Sequence, residues 1–158
     1  MTTPHRLLVL SNAVTGRDDE FNEWYDEHLD HVLAVPGIEA AQRFRFSDGQ
    51  FPPDVIPPSK HRYLTIYEVS RSPSAVIPAL LDPRLADSLP EAFDRETERA
   101  WWYSMVGERE GTAVESPAHK LAVFSNPTTP ELDVALNEWY DEHLGAVIAT
   151  PGAGVVNA

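Results

Sequence analysis

The fold is decided by Asn22-Glu23-Trp24-Tyr25-Asp26-Glu27-His28-Leu29, because the same eight residues return in the same order at positions 137–144. A second echo lies upstream: residues 5–12 read His-Arg-Leu-Leu-Val-Leu-Ser-Asn, and residues 119–126 read His-Lys-Leu-Ala-Val-Phe-Ser-Asn. Two matched segments in the same order indicate a duplicated unit, and an internal repeat constrains the whole architecture.

The second copy of this unit is shorter than the first. Pro36-Gly37 corresponds to Pro151-Gly152, and the sequence ends soon afterwards at Ala158. We therefore expect a first unit over 1–111, a linker over 112–118 and a partial second unit over 119–158. On this interpretation the chain is a fragment of a protein about 70 residues longer, or its unfinished half self-associates with another protomer.

Composition narrows the class of protein. The net charge of −13 would repel a phosphate backbone, so nucleic acid is not an expected partner. No cysteine is present for disulfides or thiolate chemistry. No long apolar segment or leader stands at the N-terminus, so we expect no membrane partner and a cytoplasmic location. A soluble protein is the class that these observations favour.

The octet belongs to an amphipathic helix. Asp18 or Asp19 can cap its start, and Pro36-Gly37 ends it. Apolar residues recur between these limits at the i, i+3, i+4, i+7 spacing of one helical face. They are Phe21, Trp24, Tyr25, His28, Leu29, Val32 and Leu33.

The remaining patterns complete a βαββαβ order. Short apolar or alternating runs predict strands over 6–11, 38–46, 61–69 and 101–106. A second helix follows Ser72-Pro73, shortened by Pro78 and Pro83. The order βαββαβ is that of ferredoxin-like folds, and in the second copy we expect a strand, a helix and the start of another strand. The predicted class is α+β.

A sheet covered by helices on one face leaves the other face bare. We expect Tyr63, Tyr67 and part of the run 101–103 on that bare face, which would be a liability if exposed. Two such sheets packed face to face would cover it and enclose a pocket. The partial second unit predicts an incomplete barrel of this kind.

The octet, followed by Val35-Pro36-Gly37-Ile38 and an Arg-Phe-containing strand, resembles the dimeric α+β barrel superfamily, and within it the EthD-type branch. That resemblance implies a ferredoxin-like fold. Members include cofactor-independent cyclases and isomerases of polyketide or lactone substrates, small monooxygenases and haem-acting enzymes.

His28 is the first candidate for catalysis, because it lies in the middle of the apolar stripe. A partly buried imidazole that titrates near neutral pH can serve as general base or acid. The alternative is a packing role, with a ring nitrogen bonded to a backbone carbonyl. His143 repeats His28 in the second copy, and duplicated units preserve packing as readily as chemistry.

His31 differs between the copies, because its counterpart is Ala146. It lies next to Glu27 and His28 at the edge of the apolar face. An active site confined to one unit would produce this asymmetry, and so would drift at a surface position.

Aromatic and basic residues supply the other candidates. Tyr25 and Tyr67 could donate a proton or polarise a carbonyl, and Arg43 could anchor a carboxylate or enolate. Packing between elements, or a charged edge that discourages aggregation, explains these residues as well. The full set of predicted substrate-binding residues is Trp24, His31, Arg43, Tyr63, Trp102 and His143.

No metal or nucleotide site is predicted. His28 and His31 stand three residues apart, whereas the HExxH zinc motif places its histidines four apart. Neither GxGxxG nor GxxxxGK[ST] occurs. We expect no cofactor.

The resemblance implies a cofactor-independent enzyme for acid/base cyclisation or isomerisation, whose partner is a small-molecule ligand, an apolar carbonyl compound of polyketide or lactone type. His28 would transfer protons, with help from Tyr25 or Tyr67. A non-catalytic ligand-binding or oligomerisation module is the alternative. The resemblance adds a small monooxygenase or a haem-acting barrel.

Overall fold

A computed structural model of the chain describes residues 4–86, 89–108 and 119–150. It divides into two compact units, residues 1–105 and 106–158. Each is described by itself.

The first unit has the predicted βαββαβ order, with one extra short helical turn. Its elements are β1 (His5–Ser11), α1 (Asp18–Leu33), β2 (Ile38–Arg45), β3 (Tyr63–Val69), α2 (Pro73–Leu80), α3 (Pro83–Ala86) and β4 (Arg99–Ser104).

The four strands form one antiparallel sheet in the order β2-β3-β1-β4. The predicted central position of β1 is confirmed, since Leu7 lies opposite Tyr67 of β3 on one side and Trp102 of β4 on the other. This order and the covering helices are those of a ferredoxin-like fold, as the sequence predicted.

Helix α1 connects β1 to β2 across one face of the sheet and buries Phe21, Tyr25 and Val32 against it. Three acidic residues in its first turn suit the positive end of the helix dipole. Gly37 lets the chain turn into β2, because its φ of +102° strains any residue with a side chain, and the Cδ of Arg71 lies 2.7 Å from where a Cβ would stand.

The two faces of the sheet are opposite to the prediction. Tyr63 and Tyr67 face the helices and are 5% and 2% exposed. Leu64 and Ile66 occupy the other face, because successive strand residues alternate. Trp102 also packs towards the helices, whereas Trp101 remains 42% exposed. Alternation in the sequence defined two faces but carried no sign of which one the helices cover.

In the second unit, the repeated octet again lies in a helix, α4 (Asp133–Ala149), which follows a 3-10 turn at Pro130–Leu132. The strand predicted over 119–126 is not formed. A strand needs a neighbour for its backbone hydrogen bonds, and no other strand occurs among the described residues of this unit. The strand expected after Pro151-Gly152 lies outside the described residues. The described residues thus hold one sheet of the expected barrel.

No helix in the described part of the chain is long and apolar enough to cross a membrane.

Replacing Phe21 with Ala tests the packing of α1. Phe21 is fully buried, with ring centroids 5.1 Å from Tyr63 and 5.6 Å from Phe93. We expect the free energy of unfolding to fall by about 3–5 kcal/mol in urea denaturation followed by circular dichroism. Phe51→Ala is the control, because Phe51 is 49% exposed and its loss should change stability by less than about 0.5 kcal/mol. Equal effects would contradict this description of the core.

Candidate functional site

An apolar cavity of about 380 Å³ lies between the helix-covered face of the sheet and helices α1 and α2. It is on the opposite side of the sheet from the pocket that the sequence predicted. Its wall is mostly hydrocarbon and aromatic, from Leu7, Val9, Trp24, Val32, Ile77, Leu80, Leu81, Leu89, Phe93, Ala100 and Trp102. The polar groups come from Tyr25, His28, Tyr67 and Glu98.

The structure brings most of the predicted site residues to this cavity. The three predicted catalytic residues line it, together with Trp24 and Trp102. Tyr63 and Arg43 lie at a separate polar cleft. His31 is exposed on α1, and His143 is exposed on α4 of the second unit.

The His28 imidazole is stacked on Trp24, with ring centroids 4.5 Å apart and planes inclined by 22°. Tyr25 meets it edge-on at 5.7 Å. The buried Nδ1 of His28 has no hydrogen-bond partner among the described residues. A packing role predicted a hydrogen bond from a ring nitrogen to a backbone carbonyl, and Nδ1 forms no such bond with the described residues.

The sequence had led us to expect that His28 titrates near neutral pH. The structure contradicts this expectation. Burial, with a smaller contribution from the nearby His31, lowers the pKa of His28 to about 4. At neutral pH the cavity therefore contains a neutral imidazole, which can accept or donate a hydrogen bond.

Tyr25 and Tyr67 form a buried phenol pair. The Tyr25 hydroxyl accepts a hydrogen bond of 3.1 Å from Thr65 Oγ1. Burial raises the pKa of both phenols. The Tyr25 hydroxyl accepts from Thr65 and keeps its own proton, which it can donate to another acceptor.

Glu98 is the functional candidate that sequence reasoning missed. It directly precedes β4 and lines the cavity, and its carboxylate forms no hydrogen bond or ion pair with the described residues. Burial raises the pKa of Glu98, although the charge of Arg95 opposes the shift. Alternation offered a signal, because Glu98, Ala100 and Trp102 share the face that packs towards the helices.

The turn that carries Glu98 is anchored through Thr97. Asn12 Nδ2 donates to Thr97 Oγ1 over 3.1 Å, and His61 Nε2 lies 2.8 Å from the Thr97 carbonyl oxygen. Asn12 Oδ1 also accepts from the backbone N–H of Arg62 over 2.8 Å. Asn12 thus joins the segment before β3 to the turn before β4.

Arg43 has a different environment from the cavity residues. Its guanidinium carbon lies 4.3 Å from the ring centre of Tyr25, 4.7 Å from that of Tyr63 and 5.2 Å from that of Phe21. Its Nη2 donates to Asn22 Oδ1 over 2.7 Å. Burial lowers the pKa of Arg43, but a guanidinium stays charged. Arg43 therefore holds α1 to β2 by cation–π contacts.

The polar cleft beside Arg43 has a volume of about 400 Å³ and contains charges of both signs. Arg62 Nη1 lies 2.9 Å from Asp18 Oδ1 there. Among the described residues, no three His, Asp or Glu side chains are grouped so as to hold a metal ion.

No family model matches this sequence. No curated protein matches it either. Solved structures do share its fold. A proposed monooxygenase from Shewanella loihica PV-4 superimposes with a TM-score of 0.50 at 15% identity, covering 68% of this chain and 98% of that chain.

Two further structures fall slightly below that similarity. A variant of SnoaB, a cofactor-independent oxygenase from Streptomyces nogalater, has a TM-score of 0.48 at 15% identity, covering 74% of this chain and 99% of that chain. An EthD family protein from Bacillus halodurans C-125 has a TM-score of 0.48 at 11% identity, covering 65% of this chain and 99% of that chain. At 15% identity, the likeness to the Shewanella loihica structure shows the fold alone, a ferredoxin-like α+β fold.

Replacing Arg43 with Lys tests the cation–π contacts. The flat guanidinium contacts three rings, whereas an ammonium group would keep the charge and lose the stacking. We expect the free energy of unfolding to fall by about 1–2 kcal/mol in urea denaturation. Arg45→Lys on the exposed part of the same strand is the control. If Arg43→Lys is as stable as the control, the contacts do not stabilise the fold.

The titration of His28 provides a second test. An unfolded histidine has a pKa of about 6.5, and burial lowers the pKa of folded His28 to about 4. Between these values the unfolded chain binds a proton that the folded chain does not, so His28 reduces stability as the pH falls from 6.5 to 4. We expect its imidazole NMR signal, assigned by its loss in His28→Asn, to titrate near pH 4. A midpoint near 6.5 would place the ring in water.

Proposed function

We propose that the cavity is an active site in which a small, apolar carbonyl compound undergoes proton transfer that leads to cyclisation or isomerisation. The observation that carries this proposal is the neutral His28 imidazole in the cavity wall, whose Nδ1 has no partner among the described residues.

The cavity suits such a ligand in size and polarity. Ligand pockets usually have volumes of roughly 300–1,000 Å³, apolar walls and a few polar groups that fix orientation. At about 380 Å³ this cavity fits a molecule of two or three rings. Trp24, Phe93 and Trp102 supply flat walls.

The polar groups suit the charge that forms when a carbon next to a carbonyl loses a proton. The electron pair moves towards the carbonyl oxygen, which then needs hydrogen-bond donors. Tyr25 can supply a proton for this purpose, because its oxygen accepts from Thr65 and its own O–H remains a donor. His28 provides a neutral imidazole on the same helix. These side chains supply the proton transfer without a cofactor.

We also propose that the two units arose by tandem duplication of an EthD-type sequence. The identical octets support this origin. The aromatic stack within them recurs as well, with ring centroids 4.5 Å apart for Trp24 and His28 and 4.4 Å apart for Trp139 and His143.

The proposed function is tested with His28→Ala and a panel of aromatic polyketides, lactones and haem. Loss of a general acid or base lowers turnover by about 10²–10⁴-fold, so we expect a loss in this range for any true substrate. His143→Ala is the matched control, because it removes the same Trp–His stack at a position that does not line the cavity. We expect it to retain turnover.

Three outcomes are informative. Binding of a panel member without conversion would show a ligand-binding module. Consumption of dioxygen together with the substrate would show an oxygenase. If His28→Ala turns over substrate as fast as the unaltered chain, the imidazole has no chemical role.

A further inference from the structure

The second ionisable group of the cavity is the carboxylate of Glu98. It lines the cavity from the segment that leads into β4, whereas His28 lines it from α1. An acidic side chain in an apolar wall without a partner costs free energy, and packing does not require one. The next two residues on the same face, Ala100 and Trp102, are apolar and line the same cavity, so this wall does not need an acidic residue.

The neighbouring cations do not neutralise this carboxylate. The Nη1 of Arg99 donates to the backbone carbonyl of Glu98 over 2.6 Å, away from the acid group. Arg95 acts on it through its charge without forming an ion pair, and its Nη2 donates to the Leu89 carbonyl over 3.4 Å. The acid group is thus left available to a ligand.

The same burial acts in opposite directions on the two groups. It raises the pKa of Glu98 above its ordinary value and lowers that of His28 to about 4. The raised pKa makes the Glu98 carboxylate a better proton acceptor than an ordinary glutamate, and the neutral His28 imidazole can donate a hydrogen bond at neutral pH. Two groups shifted in opposite directions in this way are suited to opposite roles in proton transfer.

We propose that Glu98 is the general base of the cavity, that His28 is the hydrogen-bond donor to the substrate oxygen, and that the substrate is an enolisable ketone on an apolar ring system. This inference rests on the proposed function and names the substrate class for it.

The step balances within these groups. The C–H bond next to the carbonyl breaks, and its proton passes to a carboxylate oxygen of Glu98. The electron pair forms a carbon–carbon double bond, and the carbonyl oxygen becomes an enolate oxygen that accepts from His28 N–H and Tyr25 O–H. Where the enolate is conjugated with a further double bond, return of the proton from Glu98 to the far carbon gives an isomer. Alternatively, the enolate carbon forms a bond to a second carbonyl carbon of the same molecule, the π electron pair of that carbonyl moves to its oxygen, and this oxygen takes the proton back from Glu98 as the ring closes.

Hydrogen–deuterium exchange tests this step directly. The full chain is mixed with 2-tetralone, a bicyclic ketone, in buffered D₂O, and loss of the signal from the hydrogens next to the carbonyl is followed by NMR. We expect the unaltered chain to accelerate exchange and Glu98→Gln, which keeps the shape of the side chain, to slow it by about 100-fold or more. Binding of 2-tetralone should change by less than about threefold.

Two further variants separate chemistry from structure. Glu96→Gln changes an exposed acid of the same turn and should exchange like the unaltered chain. Glu98→Asp keeps a carboxylate and should recover part of the rate.

The pH profile gives a readout that a structural role would not change. Exchange by the unaltered chain should fall as the pH drops through the raised pKa of Glu98, and Glu98→Gln should lose this dependence. The charged or titratable groups around Glu98 among the described residues are His28 and Tyr25 of α1, Tyr67 of β3, Arg95 of the preceding turn and Arg99 of β4.

The outcomes separate this inference from the proposed function. Normal exchange by Glu98→Gln, with exchange lost in His28→Ala, would overturn the role of Glu98 and keep the proposed function. An unchanged pH profile in Glu98→Gln would overturn that role too. Failure of the unaltered chain to accelerate exchange would overturn both.

Discussion

The packing of α1 against the helix-facing residues of β3 is the constraint on which the rest of the structure depends. Phe21 lies 5.1 Å from Tyr63 between ring centroids, and Tyr25 accepts a hydrogen bond from Thr65. These contacts fix the rotation of α1 about its axis. His28, one turn beyond Tyr25, is thereby placed at the edge of the packed aromatic residues, where the wall of the cavity begins.

The residues around the cavity exclude water, and this exclusion sets the protonation states of its polar groups. Its walls are largely hydrocarbon, so every polar group in them is poorly solvated and favours its neutral form. Burial therefore acts on all of these groups. It raises the pKa of the Glu98 carboxyl, lowers that of the His28 imidazole and keeps the phenols protonated. Transfer of the proton to the Glu98 carboxylate moves one negative charge to the substrate oxygen without creating a second charge, which an apolar cavity would penalise.

Periodicity in the sequence was sufficient to predict the elements of the first unit, because helices and strands impose different repeats on apolar residues. It could not reveal which face of β3 the helices cover, since Tyr63 and Leu64 are both apolar enough for either side. Nor could it reveal the environment of His28, because desolvation depends on residues distant in sequence, such as Phe93 and Trp102. Glu98 was missed for a related reason: an acid in the charged run 94–99 resembles a solvated loop residue until the sheet register shows its face.

A comparison of the two copies of the octet shows which properties come from the eight residues and which come from the elements packed around them. The same eight residues form a helix in both units, with nearly the same Trp–His stack, because residues four apart on a helix are neighbours whatever lies outside it. Yet α1 has three buried residues and α4 has none. An imidazole acquires an unusual proton affinity only where other elements exclude water around it. The octet therefore supplies the histidine, while β3, β4 and the segment that carries Glu98 supply the environment that gives it chemistry.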